Sequence, residues 1–168
     1  MTSAREPRSG AGLWRPVLVA AASALAVAAV GGTLSTIGPW YRALIKPAWT
    51  PPDWAFGAIW TAIFALTGMA GVIGWRRTNT AVAREWLIGL FALNGFLNVV
   101  WSLLFFRLQR PDWGLVEVAF LWLSIVGLIA SFARHALLAS ALLVPYLIWV
   151  STAAFLNLQV VQLNGRFG

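Results

Sequence analysis

Residues 84–106 read REWLIGLFALNGFLNVVWSLLFF, and after Arg84 and Glu85 no charge appears before Arg107. A run of this length matches the roughly 20 apolar residues needed to cross a hydrocarbon core about 30 Å thick. Its polarity does not alternate, as a barrel strand's would, so the run reads as a helix that satisfies its own backbone in lipid. Inside it, Asn94, Asn98 and Trp101 fall at i, i+4 and i+7, with Phe105 four residues further on. That spacing puts two amides and two aromatic rings on one face. Amides facing lipid are costly, so this face must look into a bundle. Two uses fit it there: hydrogen bonds between helices, or a few polar contacts in a cavity with aromatic walls.

Working outward, four further apolar runs cover about 16–37, 54–75, 111–133 and 136–161. The expected fold class is therefore all-α, an integral, multi-pass membrane bundle of five transmembrane helices occupying 16–161. Residues 1–15 read as a disordered tail and 162–168 as a short C-terminal tail. The first run is longer than the 7–15 residues of a signal-peptide core and lacks a clean small-x-small exit, so it reads as a span. Ala20, Ala24, Ala28 and Gly32 repeat every fourth residue along it. This is either a face for close helix approach or simply an alanine-rich span. Asp53, after Pro51–Pro52, is placed to cap the second span, and Pro111 to open the fourth. The links near 107–110 and 134–135 are so short that the helices they join must be antiparallel hairpins. The longer link, 38–53, holds Trp40, Tyr41, Trp49, Arg42, Lys46 and four prolines, and is too stiff and aromatic for a tether. Basic residues favour slightly the side that carries the N-terminal tail, which would place that tail inside.

Composition supports lipid as the solvent. The chain is 60% hydrophobic and 10% charged, against roughly 25% charged in soluble domains. With no cysteine there is no disulfide, thiolate metal site or cysteine nucleophile, and the single histidine, His135, excludes a multi-histidine cage. The net charge of +7 comes from scattered arginines and one lysine, which suit lipid head groups and form no nucleic-acid stripe. No metal site is expected.

Eleven tryptophans remain to be explained. Trp14, Trp40, Trp54, Trp75, Trp86 and Trp113 lie near span ends, where an interfacial belt accounts for them. Trp60, Trp101, Trp122 and Trp149 lie inside spans, where an indole N–H needs a partner or a ligand surface. Trp60, Phe64, Thr67 and Gly71 form one stripe; Trp149, Ala153, Leu156 and Val160 form another, just after Pro145–Tyr146. Such stripes serve core packing or a flat apolar ligand. Glu117 is the one carboxylate placed within a span, either as a functional group or as a charge near the helix start. His135, beside Arg134 in a tight link, reads as solvated.

Three blocks together resemble the TspO/translocator-protein family, the tryptophan-rich sensory proteins also known as peripheral-type benzodiazepine receptors. They are Trp40-Tyr41-Arg42-Ala43-Leu44-Ile45-Lys46-Pro47-Ala48-Trp49-Thr50-Pro51-Pro52 with Trp60-Thr61, then 98–106, NVVWSLLFF, and Pro145-Tyr146-Leu147-Ile148-Trp149 with Ala153, Ala154, Leu156 and Asn157. They occur in the family's order and spacing. The resemblance implies a five-helix bundle, often a homodimer, that binds tetrapyrroles such as protoporphyrin IX and haem, as ligands rather than required cofactors. It implies ligand contacts at Tyr41, Trp49, Trp60, Phe64, Asn98, Trp101, Trp149, Ala153 and Leu156. Glu117 stands where many members have Asp. Animal members bind cholesterol through a motif with Tyr after the Leu-Asn pair; here Leu156-Asn157 is followed by Leu158, so sterol recognition is not expected.

The leading expectation is thus a membrane receptor or carrier that senses, scavenges or transports tetrapyrroles in a tryptophan-rich pocket. The 38–53 loop would act as a lid, with Arg42 and Lys46 pairing with propionates or else anchoring to head groups. One alternative is light- and oxygen-dependent porphyrin breakdown, with Trp60 and Trp149 as the catalytic residues. The other is a proton-coupled exporter using Glu117, which the lack of an internal repeat disfavours.

Overall fold

The computed structural model describes residues 11–165 and Phe167, the side chains of 11–15 excepted. Trp14 and most of the expected tails therefore lie outside the described side chains. Among the described residues six α-helices are formed: α1 (Ala11–Leu34), the short α2 (Pro39–Ala43), α3 (Asp53–Arg77), α4 (Ala81–Ser102), α5 (Pro111–Ala133) and α6 (Leu137–Asn164). No strand occurs among the described residues. All but α2 contain stretches long and apolar enough to cross a membrane, and the protein is an integral multi-pass membrane protein. Helix α1 starts at Ala11, upstream of the expected Pro16, which it accommodates within its length.

Packing runs α1–α3–α6–α5–α4 and back to α1, a closed ring rather than the order along the chain. The short links make α4–α5 and α5–α6 adjacent antiparallel pairs, while α1 closes the ring against α3 and α4. Helix α5 buries nine residues, among them Leu121, Ile125, Leu128 and Phe132; α1 buries only Gly31 among its described side chains. The dense part of the bundle therefore lies at α5 and α6.

Helix ends have local causes. Thr80 caps α4 by accepting the Ala83 N–H at 3.2 Å. Pro111 stands at the first position of α5, where its missing N–H costs nothing. Asp53 corrects an expectation: it lies inside the first turn of α3, not at the cap, and Pro52 precedes it without a side-chain cap bond. Its carboxylate is still favourably placed against the helix dipole. The third span also departs from regular α-helix, because Leu103–Arg107 forms a π-turn. The wider turn carries Phe105 and Phe106 round beside Trp101, with ring centroids 5.1 and 5.9 Å from the indole. The hairpin into α5 then turns at Gln109, whose φ of 55° is left-handed.

At the end away from the loop, α3 and α5 approach through Gly74, where a Cβ would overlap the ring of fully buried Phe132. Overpacking of this kind costs about 1–3 kcal/mol. Gly74→Ala is expected to lower the thermal unfolding midpoint in detergent by several degrees, whereas Gly68→Ala, which meets open space, should leave it within about one degree.

Candidate functional site

Inside the ring the helices do not close. A cavity of about 1160 Å³ lies between α1, α3, α4 and α6 and reaches the 35–53 loop, with α5 behind it. Its α1 wall consists largely of Ala20, Ala21, Ala24, Ala28, Gly31 and Gly32. The four-residue repeat of small side chains is thus turned into space, because α1 leaves room that larger residues would fill. The facing walls are aromatic. Trp60 stacks on Phe64 at 5.3 Å and meets Tyr146 edge-on at 6.1 Å. Trp101 stacks on Phe105, and Trp149 meets Phe56 edge-on at 5.8 Å.

Of the expected contact residues, Tyr41, Trp60, Phe64, Asn98, Trp101, Trp149, Ala153 and Leu156 all line this cavity. Trp49 does not. Its ring stacks on Phe155 at 5.7 Å and its indole N–H donates to Gln159 Oε1 at 3.1 Å, on an outward part of α6. Arg42 and Lys46 are also off the wall. The single turn of α2 sends Tyr41 inward, and its neighbour, 100° further round, outward. Lys46 Nζ donates to the carbonyls of Tyr41 (2.7 Å) and Leu44 (3.0 Å) and sits over the Tyr41 ring, so it holds the loop together. The loop is tied down by Asn164, which exchanges two 2.8 Å hydrogen bonds with the backbone of Ile45.

The four intra-span tryptophans divide cleanly. Trp122 satisfies its N–H on Ser151 at 2.9 Å, and neither residue is on the cavity wall. Trp60, Trp101 and Trp149 line the cavity, and the N–H groups of Trp101 and Trp149 are buried with no partner among the described residues. Val160, at the end of one expected stripe, packs instead with Tyr41, Leu44 and Phe105. Gly71, at the end of the other, faces Phe91. Glu117 is buried, with both carboxylate oxygens lacking partners among the described residues, and is not on the cavity wall. His135 is exposed, as expected. Among the described residues there is no cluster of histidine, cysteine and acidic residues that could hold a metal.

Several lining residues were missed by sequence reasoning. Phe56 lies four residues before Trp60, and Arg76 ends the same helix at the far end of the cavity. Helical spacing from Trp60 could have found the first; nothing in the pattern marked the second. Asn157 ties α6 to the start of α5, donating to the Pro111 carbonyl at 3.0 Å and accepting the Leu115 N–H at 3.1 Å.

The fold and the site define a class: a polytopic α-helical membrane protein with an internal, aromatic-walled cavity. The family model described as TspO/MBR matches residues 17–163, and the chain belongs to that family. It is 43% identical over 145 residues to a tryptophan-rich protein TspO of Chlorobaculum tepidum, covering 81% of this chain and 89% of the relative. It is 37% identical over 153 residues to a TspO of Archaeoglobus fulgidus, covering 88% and 98% respectively. The translocator protein of Sus scrofa is 32% identical over 151 residues, covering 84% and 89%.

At the loop end, Tyr41 is 3% exposed, and burial, reinforced by the nearby Asp53 carboxylate, pushes its phenol up to about 12. An unfolded chain releases this proton near pH 10, so between pH 10 and 12 the unfolded state binds fewer protons than the folded one. Stability contributed by Tyr41 is therefore complete below pH 10 and lost as pH rises towards 12. Thermal unfolding between pH 9 and 12 should show a steeper alkaline fall for the unaltered chain than for Tyr41→Phe.

Proposed function

We propose that this protein is a membrane receptor or carrier that binds tetrapyrroles such as protoporphyrin IX and haem within the bundle. The observation that carries the reading is the cavity of about 1160 Å³ with Trp60, Phe64, Trp101, Phe105 and Trp149 on its walls. Aromatic walls suit a flat, largely apolar ligand, which gains burial and offset ring contacts there. The small α1 side chains provide the width that a macrocycle needs. Neither Arg42 nor Lys46 lies on the wall, so propionates would not find their cation in the loop; among the described residues, Arg76 is the arginine that lines the cavity.

The light-dependent alternative draws on one observation, that Trp60 and Trp149 both border the cavity, so either indole would touch a bound porphyrin. The exporter alternative has no such support, because Glu117 is not among the residues that line the cavity.

Titration of the detergent-purified protein with protoporphyrin IX in the dark, followed by tryptophan quenching and the Soret band, tests the proposal. Saturable binding is expected. Trp60→Phe and Trp149→Phe should each weaken it about threefold to tenfold, the size of an aromatic contact worth about 0.5–1.5 kcal/mol. Trp49→Phe should leave it unchanged. Quenching without saturation, or equal effects of all three variants, would overturn the tetrapyrrole reading. Illumination of the same samples separates binder from degrader: an irreversible spectral change suppressed by Trp60→Phe or Trp149→Phe would favour breakdown.

A further inference from the structure

The cavity changes character along its length. Gly71 of α3 faces Phe91 of α4, and the two helices run antiparallel. Asn98, seven residues after Phe91, therefore stands level with Phe64, seven residues before Gly71. Asn98 is the first residue of α4 on the wall. The wall on α6 begins at Trp149, which meets Phe56 and so lies on the loop side of Phe64. Beyond Phe64, towards Arg76, the described lining residues come from α1 and α3 alone. Two neighbouring helices cannot enclose a space. This half of the cavity is a groove open to lipid, and its lining residues Leu25 and Met69 are 70% and 54% exposed.

The groove has the length of one lipid chain and a cation at its end. From Phe64 to Arg76 is twelve residues of helix, about 18 Å at a rise of 1.5 Å per residue. One leaflet of hydrocarbon is about 15 Å deep, half of a 30 Å core. Between those ends the wall is apolar, with Gly68, Met69 and Val72 on α3 facing Ala21 and Ala24 on α1. Trp75 marks the interface, so the neighbouring Arg76 guanidinium sits at head-group depth. The stretch from Arg76 to Glu85 carries Arg76, Arg77 and Arg84 against that one carboxylate. Arg84 is turned into its own link, 5.1 Å over the Trp75 ring and donating to the Thr78 carbonyl at 3.1 Å. Arg76 is the arginine on the groove wall.

We infer that this groove holds one acyl chain of an anionic phospholipid, with the phosphate at Arg76 and the chain end near Phe64. A basic site between helices at head-group level is the setting that anionic lipid heads recognise. The guanidinium can present two parallel N–H donors to phosphate oxygens. A zwitterionic head carries its own cation and gains less there. The chain is held by van der Waals packing, the attraction that remains between apolar surfaces in lipid. It supplies the third wall that α1 and α3 leave open. The inference goes beyond the function proposed above and stands whatever ligand the aromatic half takes.

Native mass spectrometry of the detergent-purified chain, titrated with dioleoylphosphatidylglycerol or dioleoylphosphatidylcholine, tests it. The chains of the two lipids are identical, so any difference reads the head group. The first equivalent of phosphatidylglycerol should bind about fivefold tighter, the order of one arginine at an anionic surface. Arg76→Gln should cut that preference to about twofold or less. Arg134→Gln, at the same end of the bundle but off the groove, should leave it unchanged. Gly68→Leu places a side chain in the open space of the groove; it should weaken both lipids about threefold or more and keep their ratio. Each variant is first matched to the unaltered chain by its thermal unfolding midpoint. Equal affinity for the two lipids, an effect of Arg134→Gln as large as that of Arg76→Gln, or indifference to Gly68→Leu would overturn the inference. So would displacement of the bound lipid by excess glycerol phosphate, which would mark a phosphate site without a chain. No porphyrin enters these measurements, so this inference and the tetrapyrrole proposal fail separately.

Discussion

In lipid, closing an apolar space between helices gains nothing from the hydrophobic effect, because the surrounding tails are as apolar as the side chains. Shape and hydrogen bonding then decide which helices touch, and the rest of this structure follows from that constraint. Helices α5 and α6 meet along interlocking surfaces that bury Ile125, Leu128, Phe132, Leu143 and Val150. Helix α1 offers mostly alanine and glycine on its inner face and rests on α3 and α4 without filling the centre. An opening that would collapse in a soluble bundle can persist here beside α1. The division gives the protein a rigid half that fixes side-chain positions and an open half that supplies room.

The same solvent explains the polar interior. A polar group in hydrocarbon must find a partner within the protein, and α4, α5 and α6 meet this demand together through Asn94, Asn98, Ser124 and Tyr146. Trp122 meets it by pairing with Ser151. The groups that do not meet it are few and informative. The indole N–H groups of Trp101 and Trp149 belong to rings on the cavity wall, and Glu117 lies behind the wall on α5. Thr67 Oγ1 on α3, off the cavity wall, is the other buried group without a partner among the described residues.

The five spans were legible because a membrane reduces fold reading to one variable, the length of an apolar run. The inward face of the third span was legible too, since two amides at i and i+4 have only one tolerable direction. Side-chain direction outside regular helix was not. In the 38–53 loop every aromatic and cationic residue looked available for a ligand, yet the single turn of α2 turns Tyr41 in and Arg42 out, and Trp49 lands on Phe155. Loop composition carries no record of such rotations. The π-turn at Leu103–Arg107 was equally hidden: nothing in the run LLFFR marks it, and it is seen only with Phe105 and Phe106 in place against Tyr41 and Trp101. Tyr146 was within reach: it precedes Trp149 by three residues and so shares its face, but its hydroxyl had no visible partner until α4 was placed opposite.

The loop's attachments bear on what kind of site this is. A lid must exchange its closed contacts for open ones at modest cost, and mobile segments usually have few buried contacts and exposed backbone bonds. Here Asn164 binds both backbone groups of Ile45, Lys46 gathers the carbonyls of Tyr41 and Leu44, and Tyr41 is sunk between Phe105 and Phe106. Freeing the loop would uncover the buried ring and phenol of Tyr41. The 38–53 segment thus forms a rim tied to α6 and packed on the π-turn, and the cavity below it is bounded by aromatic rings on α3, α4 and α6 and by the alanines and glycines of α1.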